Sequence, residues 1–344
     1  MLRRIRRSPL WPLPALAEPV SGRTAPETRR TTPETRRVVV AERATVADGV
    51  VRLRLEAAAG APPLPPWEPG AHIDLVLPSG PVRQYSLCGD PADTRTYTVA
   101  VRLAATGAGG SREVHQRLAE GTEIEVRGPR NRFPLVPSAS YVFVAGGIGI
   151  TPVLPMLRAA DAAGARWRLL YRGRSRASMP FADEVERLGA PGGTGRVTVS
   201  AGDESGRPDL GFLTGLGPET AVYCCGPDGL MAAVTALLPA DRPPRRERFT
   251  AGVPAPGGTA FDVELRRSGR TVRVAPGRSV LAAVREVLPD VAYSCRQGFC
   301  GTCRQRVLSG TVDHRDDLLT DAEREDSLLI CVSRGLDGKL VLDL

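Results

Sequence analysis

The sequence predicts a multidomain protein: a small antiparallel β-barrel, then a doubly wound α/β domain, then a compact β-rich domain with one packed helix. Three observations lead there. Residues 38–138 alternate apolar and polar over short runs, residues 139–240 alternate strand with helix, and residues 259–344 open on a hairpin pattern and carry SCRQGFCGTC (294–303). At 344 residues the chain exceeds one typical core.

In the first block the runs VVVAERATV, VVRLRLEA, HIDLVL, TYTVAVRLA and EIEVRGP are punctuated by Gly and Pro, as short barrel strands are. In the second, YVFVAGG is a continuous apolar run, the pattern of a parallel strand buried on both faces. A helical stretch (VLPMLRAADAAG), a strand (RWRLLYRG), a helix around FADEVERLG and strands at RVTVSAG and AVYCCGP follow. That alternation is the doubly wound signature. Residues 241–258 (DRPPRRERFTAGVPAPGG) read as a linker, and 259–344 as the hairpin FDVELRRSGRTVRVAPG, the helix SVLAAVREVL, the cysteine loop and short strands.

The net charge of +8 sits mostly in a tail. Residues 1–37 hold nine Arg against three Glu, which leaves +2 for the rest and little electrostatic footing for nucleic-acid binding. The tail repeats TAPETRR and TTPETRR and is expected to be disordered. RRIRR invites an export reading, but SPLWPLP is short and broken by prolines, which argues against it. No run approaches the roughly 18 apolar residues of a membrane span. A cytoplasmic monomer is expected.

Cys295, Cys300 and Cys303 are spaced C-x4-C-x2-C, and Cys331 lies 28 residues on, the plant-type arrangement for a [2Fe–2S] cluster. Gly298 and Gly301 let the backbone curl inward. Zinc is the alternative, but structural zinc sites usually pair two C-x2-C knuckles and one is missing here. Disulfides lack support, because nothing points to an oxidising compartment. Cys88 and Cys224 read as core thiols. His72, His115 and His314 read as structural or surface residues, and none lies near the cysteines as Rieske ligation needs.

AGGIGITP (145–152) follows the buried strand and reads as a Gly-rich turn into a helix, where amides and the helix dipole meet a pyrophosphate. It is not the G-x-G-x-x-G fingerprint. Paired with CGPDGLM (225–231) at another strand end, it frames one dinucleotide crevice. RQYSL (83–87), after a barrel strand, offers Arg83 as a charge, Tyr85 as a flat face and Ser86 as a hydroxyl; a plain surface strand reads equally well. GAGGSREVHQRL (107–118) places Gly-Gly-Ser at a helix start, again a phosphate cradle.

In this order, RxYSL, GGS, GGIGITP, CGP and C-x4-C-x2-C…C resemble the phthalate dioxygenase reductase family, within the ferredoxin–NADP reductase-like group. GPRNRFPL (128–135), DHRDDLL (313–319) and CVSRGLDGKLVLDL (331–344) are similar to it too, so the resemblance spans about residues 38–344. It implies an FMN-binding barrel (38–138), an NAD(P)-binding domain (139–240) and a β-grasp plant-type ferredoxin domain (259–344). It further implies that Arg83, Tyr85, Ser86 and Leu87 contact the isoalloxazine, with Gly109, Gly110 and Ser111 near the phosphate. Gly146, Gly147, Gly149, Thr151 and Pro152 would line the nucleotide site, with Cys225, Gly226 and Pro227 near the nicotinamide; Ser86 and Cys225 are the candidate catalytic pair.

A nicotinamide yields two electrons at once and an iron–sulfur cluster takes one, so the implied flavin splits the pair. Coenzyme choice stays open between NADH and NADPH. YRGRSR brings Arg172, Arg174 and Arg176 to the position where NAD-selective sites often carry an acid, and arginine there accepts a 2′-phosphate. The family leans to NADH. The implied partner is a terminal oxygenase, Rieske non-haem iron or haem-thiolate, docked transiently through a mixed-charge face. Asp313–Asp326 carries seven acids against Arg315 and Arg324, with Arg296, Arg304, Arg306 and Arg334 around the cysteines. A non-catalytic iron–sulfur sensor and a zinc-stabilised binding module are the rivals; each leaves two of the three cofactor motifs without a purpose.

Overall fold

The computed structural model describes residues 35–105, 109–189, 194–206, 209–249, 258–293, 296, 298, 301–316, 318–336 and 338–344. The chain forms two compact units: one runs up to Ile73 and resumes over Tyr85–Arg246, the other joins Asp74–Gln84 with Glu247–Leu344.

Six strands make the first sheet: β1 (Thr35–Ala47), β2 (Val50–Ala57), β3 (Ala71–Val76), β4 (Val82–Ser86), β5 (Thr96–Arg102) and β6 (Glu123–Asn131), ordered β4-β3-β6-β1-β2-β5. Strand β1 pairs antiparallel with β2 and β6, and two register shifts along it, at Val40/Glu42 and Thr45/Ala47, let the long strand curl. An antiparallel bridge between Leu87 and Val99 carries the end of β4 onto β5 and closes the barrel. Helix α1 (Gly110–Arg117) packs on β5. RQYSL, expected to follow a strand, lies within β4 up to Ser86, with Leu87 just beyond.

The second sheet has parallel strands β7 (Ser140–Gly146), β8 (Arg166–Gly173), β9 (Gly195–Ala201) and β10 (Thr220–Cys225), ordered β10-β7-β8-β9, with the short β11 (Arg245–Glu247) outside β10. Helices α2 (Ile150–Ala162), α3 (Ala182–Leu188), α4 (Gly202–Ser205) and α5 (Asp228–Ala236) belong to it. Side chains alternate across each strand, which gives two cores. Tyr141, Phe143, Leu169 and Tyr171 face α2 and α3, while Val142, Val144, Leu170 and Cys224 face α5. Both faces are covered, hence the unbroken apolar run at β7. Helix α2 starts at Ile150, earlier than the Val153 the pattern suggests, because the 3₁₀ turn Gly147–Gly149 feeds straight into it.

The third sheet holds β12 (Phe261–Leu265), β13 (Arg270–Val274), β14 (Arg304–Ser309), β16 (Ser327–Leu329) and β18 (Lys339–Leu342), ordered β13-β12-β18-β14-β16; β15 (Val312–Asp313) and β17 (Arg334–Gly335) form a separate pair. The β12–β18 pair is parallel between antiparallel neighbours, and α6 (Val280–Val287) buries Val280, Leu281, Ala283 and Val284 against this sheet. Ser279 starts α6 by accepting from the Ala282 amide at 3.2 Å. A short α7 (Asp321–Arg324) completes this β-grasp domain.

Candidate functional site

The glycine turn and the CGP segment meet at the carboxyl ends of the neighbouring parallel strands β7 and β10. A Cβ on Gly149 would stand 2.2 Å from the Cys225 carbonyl oxygen, and one on Gly146 2.6 Å from Pro227 Cδ and 3.2 Å from Gly226 Cα. These two glycines therefore exist for chain-to-chain packing. Gly147 is different: it is left-handed at φ 53 and a Cβ there meets nothing within 4 Å, so this is the turn's open position. The buried Tyr171 hydroxyl donates to the Gly147 carbonyl at 3.2 Å and to the Pro180 carbonyl at 2.9 Å. Thr151 is buried and its hydroxyl donates to the Ile148 carbonyl at 2.9 Å, so it shapes the turn from inside, beside the buried Pro152. Gly226 is half-buried and Pro227 exposed, whereas Cys225 is 0% exposed within the core on the α2 side. The accessible part of CGP is its Gly-Pro, not the thiol.

One strand over, register aligns Gly146 with Arg172 on β8. The Arg172 guanidinium donates to the Gly206 carbonyl at 2.7 Å, and Arg176 pairs with Asp183 at 2.7 Å and Glu186 at 2.6 Å, which holds Arg176 firmly charged. Arg174 is exposed, and its side chain makes no hydrogen bond or ion pair among the described residues.

In the barrel, Arg83 and Tyr85 are half-buried on β4, while Ser86 and Leu87 are buried. Arg83 Nη1 donates to the Val82 carbonyl at 2.9 Å. The Leu87 amide donates to Ala71 and the Cys88 amide to Thr98, both at 2.9 Å. Gly109, left-handed at φ 78, starts α1 without a side-chain cap, which leaves the first amides available to an anion. Gly110 is buried, and Ser111 Oγ accepts from the Ala104 amide at 3.0 Å. The barrel also holds a residue whose role sequence reasoning missed. His72 is 2% exposed, and neither ring nitrogen has a hydrogen-bond partner among the described residues. Burial, then the charges of Arg130 and Arg132, push it down to about 3, so the ring is neutral. The imidazole is therefore an uncharged polar group sealed inside the barrel without a hydrogen-bond partner among the described residues, at a cost to stability.

Barrel strand end and glycine turn are in contact. Ile148, inside the turn, packs with Phe181 on Val50, Cys88 and Ala100. Cys88 and Cys224 are buried as expected, and burial pushes both thiols up to about 12.

In the third domain, pairing of Arg304 with Leu329 sets Cys303 beside the segment leading to Cys331, and the Ile330 amide donates to the Cys303 carbonyl at 3.4 Å. Neither cysteine is in a disulfide, and both are buried, 1% and 7% exposed. Cys295 and Cys300 lie outside the described residues. Around them Arg296, Gly298 and Gly301 are all left-handed, at φ 59, 80 and 72, a conformation that can turn backbone amides toward an anionic group. A second missed residue backs this loop: a Cβ on Gly298 would stand 3.3 Å from Asp316 Cα. The Asp316 carboxylate accepts from the amides of Leu318 (3.2 Å) and Leu319 (2.8 Å) and from Ser333 Oγ (3.3 Å). Two buried cysteines on neighbouring segments, neither in a disulfide, fit a thiolate-held cluster.

The fold and these three constellations define a modular flavin- and pyridine-nucleotide-dependent oxidoreductase with its own ferredoxin domain. Residues 263–334 match the 2Fe-2S iron-sulfur cluster binding domain. The chain is 36% identical over 315 residues to the phthalate dioxygenase reductase of Burkholderia cepacia, covering 89% of this chain and 96% of that one. A solved phthalate dioxygenase reductase, described as a modular structure for electron transfer from pyridine nucleotides to [2Fe-2S], matches with a TM-score of 0.65 over 90% of this chain and 98% of the other. An intact type IV self-sufficient cytochrome P450 monooxygenase matches with a TM-score of 0.79 and 42% identity, over 90% of this chain but 41% of that chain, so the present chain spans about two fifths of it. The chain belongs to the phthalate dioxygenase reductase family. It is an NAD(P)H-dependent oxidoreductase whose cofactors are FMN and a [2Fe–2S] cluster. No described helix is long and apolar enough to cross a membrane.

Proposed function

We propose that this chain is the reductase component of an oxygenase system, working as a cytoplasmic monomer that docks transiently on a terminal oxygenase. When bound, FMN and the cluster supply the conversion of a hydride, the two electrons and proton of the dihydronicotinamide C4–H bond, into one-electron delivery. The protein's part is placement. Arg83, Tyr85 and Ser86 on β4, with Leu87 just beyond it, would hold the isoalloxazine, and Gly109, Gly110 and Ser111 its phosphate. The open Gly147, flanked by Gly146, Gly149, Thr151 and Pro152, would admit the pyrophosphate; Gly226 and Pro227 would face the nicotinamide, with Cys225 packed behind them. Cys295, Cys300, Cys303 and Cys331 would hold the cluster. The observation that carries the reading is the packing of Ile148, in the nucleotide turn, against the barrel cluster of Val50, Cys88 and Ala100. Hydride transfer needs no general acid or base.

Arg174 supports NADPH as the coenzyme. Arg172 and Arg176 are engaged within the protein, so Arg174 is the arginine of the three left to meet a 2′-phosphate. For the partner, the resemblance supports a Rieske non-haem iron oxygenase. The 42% identical self-sufficient P450 favours a haem-thiolate partner as the second reading.

Anaerobic visible spectra of the purified protein, before and after NADH or NADPH, test the reading. Flavin and cluster absorption that bleaches with NADPH at a KM at least tenfold below that for NADH is expected, and Arg174→Ala should erase the difference. A colourless, zinc-containing protein would sink the proposal. Reduction of a purified Rieske oxygenase, read by its electron-spin resonance, against that of a cytochrome P450, read by its carbon monoxide difference band, separates the two partners.

A further inference from the structure

We propose that Arg158 is a positioning residue for nicotinamide-to-flavin hydride transfer, a clasp between the end of the flavin strand and the helix that carries the nucleotide turn. The inference rests on the reading above, in which β4 holds flavin and the Gly147 turn holds the nucleotide. Arg158 Nη1 donates to the carbonyls of Cys88 at 3.1 Å and Gly89 at 2.6 Å, the two residues that follow RQYSL. Its Nη2 pairs with Glu184 in the first turn of α3. Arg158 lies on α2 six residues beyond Pro152, about 9 Å along the helix that the turn feeds into.

What the clasp grips decides its role. Both carbonyls are main-chain atoms, so the guanidinium constrains the backbone immediately after Ser86 and Leu87 rather than a side chain that can swing. Ile148 and Phe181 against Val50, Cys88 and Ala100 supply proximity, and the Asp48 amide adds a bond to the Ala177 carbonyl at 2.8 Å. Apolar contact is non-directional and tolerates sliding. A planar fork of donors on two successive carbonyls, anchored from behind by a carboxylate, sets the register. Hydride transfer is sensitive to that register, since a displacement of about 1 Å costs on the order of a hundredfold in rate.

The test is anaerobic stopped-flow reduction of the holoprotein by NADPH and NADH, for wild type, Arg158→Ala, Arg158→Lys and Glu184→Gln. In Arg158→Ala the limiting rate of flavin reduction should fall about tenfold to a hundredfold. Nucleotide Kd should stay within about twofold, and the long-wavelength charge-transfer band of the stacked nicotinamide–flavin pair should weaken. Arg158→Lys, with one point donor, should recover part of the rate, and Glu184→Gln should lose the least. In the apoprotein, amide exchange over residues 87–90 should quicken. An unchanged limiting rate and charge-transfer band, with only a lower Tm, would make Arg158 a stability residue and overturn the proposal. If Arg158→Ala fails to fold, wild-type rates in both Arg158→Lys and Glu184→Gln overturn it equally. A wild type reduced by neither nucleotide would instead refute the functional reading, and the inference with it.

Discussion

Two buried polar side chains in this protein are opposites. Asp316, in the ferredoxin domain, is 4% exposed and saturated: two amides and a serine hydroxyl donate to it, with the His314 Nδ1 at 3.6 Å and Arg324 Nη2 at 3.8 Å beyond. His72, in the barrel, is 2% exposed, with neither ring nitrogen hydrogen-bonded among the described residues. A satisfied buried group is a structural tie, because removing it strands its donors. An unsatisfied one weakens the protein on its own account. The pair contrasts a buried polar group that ties its domain together with one that costs its domain stability.

Removing the carboxylate is the harshest test. Asp316→Ala should cost about 3–4 kcal/mol, since the Leu318 and Leu319 amides lose their acceptor, and cluster absorbance should vanish at a lower urea concentration than in wild type. Asp316→Asn, which keeps one acceptor oxygen, should lose less. A loss under about 0.5 kcal/mol in Asp316→Ala would end the contrast.

Next in size is acid sensitivity from His72. Its folded pKa of about 3 lies below the ordinary 6.5, so between those values the unfolded chain binds a proton that the native barrel does not. The associated stability is present above pH 6.5 and falls as pH drops from 6.5 toward 3, by about 1.4 kcal/mol per pH unit. Denaturation midpoints of the apoprotein at pH 7.0 and 5.5 should diverge in wild type and converge in His72→Gln. An equal slope in both would mean that another group titrates there.

The smallest effect belongs to the rim of the saturated site. Arg324 is one-third exposed, 3.8 Å from the Asp316 carboxylate and bonded to its backbone carbonyl at 2.8 Å. Arg324→Gln should cost no more than about 1 kcal/mol, and added salt should mask most of the charge part. A larger loss would show that the carboxylate depends on charge rather than on its amides.

Much of this was legible beforehand, because the signals were periodic or spaced. Alternation along β2 and the unbroken run at β7 told a barrel strand from a doubly buried one, and C-x4-C-x2-C identified a cluster loop. The glycine turn was legible as a turn but not glycine by glycine: Gly146 and Gly149 yield to Cys225–Pro227, and Gly147 alone faces open space. Helix α5 has no clear signal in the sequence, since DGLMAAVTA is short and opens on Asp-Gly, and the packing of Met231 and Val234 on the sheet settles it. Arg158, Asp316 and His72 carried no sequence signal, because a lone Arg, Asp or His declares nothing until its neighbours are known.

The chain's own order of residues determined the module sequence, the class of chemistry and the cysteine spacing, because each depends on local period or on spacing along the backbone. Tertiary structure alone decided which polar groups are satisfied, that Cys225 lies behind Gly226 and Pro227, and that a guanidinium on α2 grips the carbonyls beyond RQYSL. Burial and hydrogen bonding between residues about 70 positions apart, as for Arg158 with Cys88 and Gly89, are properties of the packed chain.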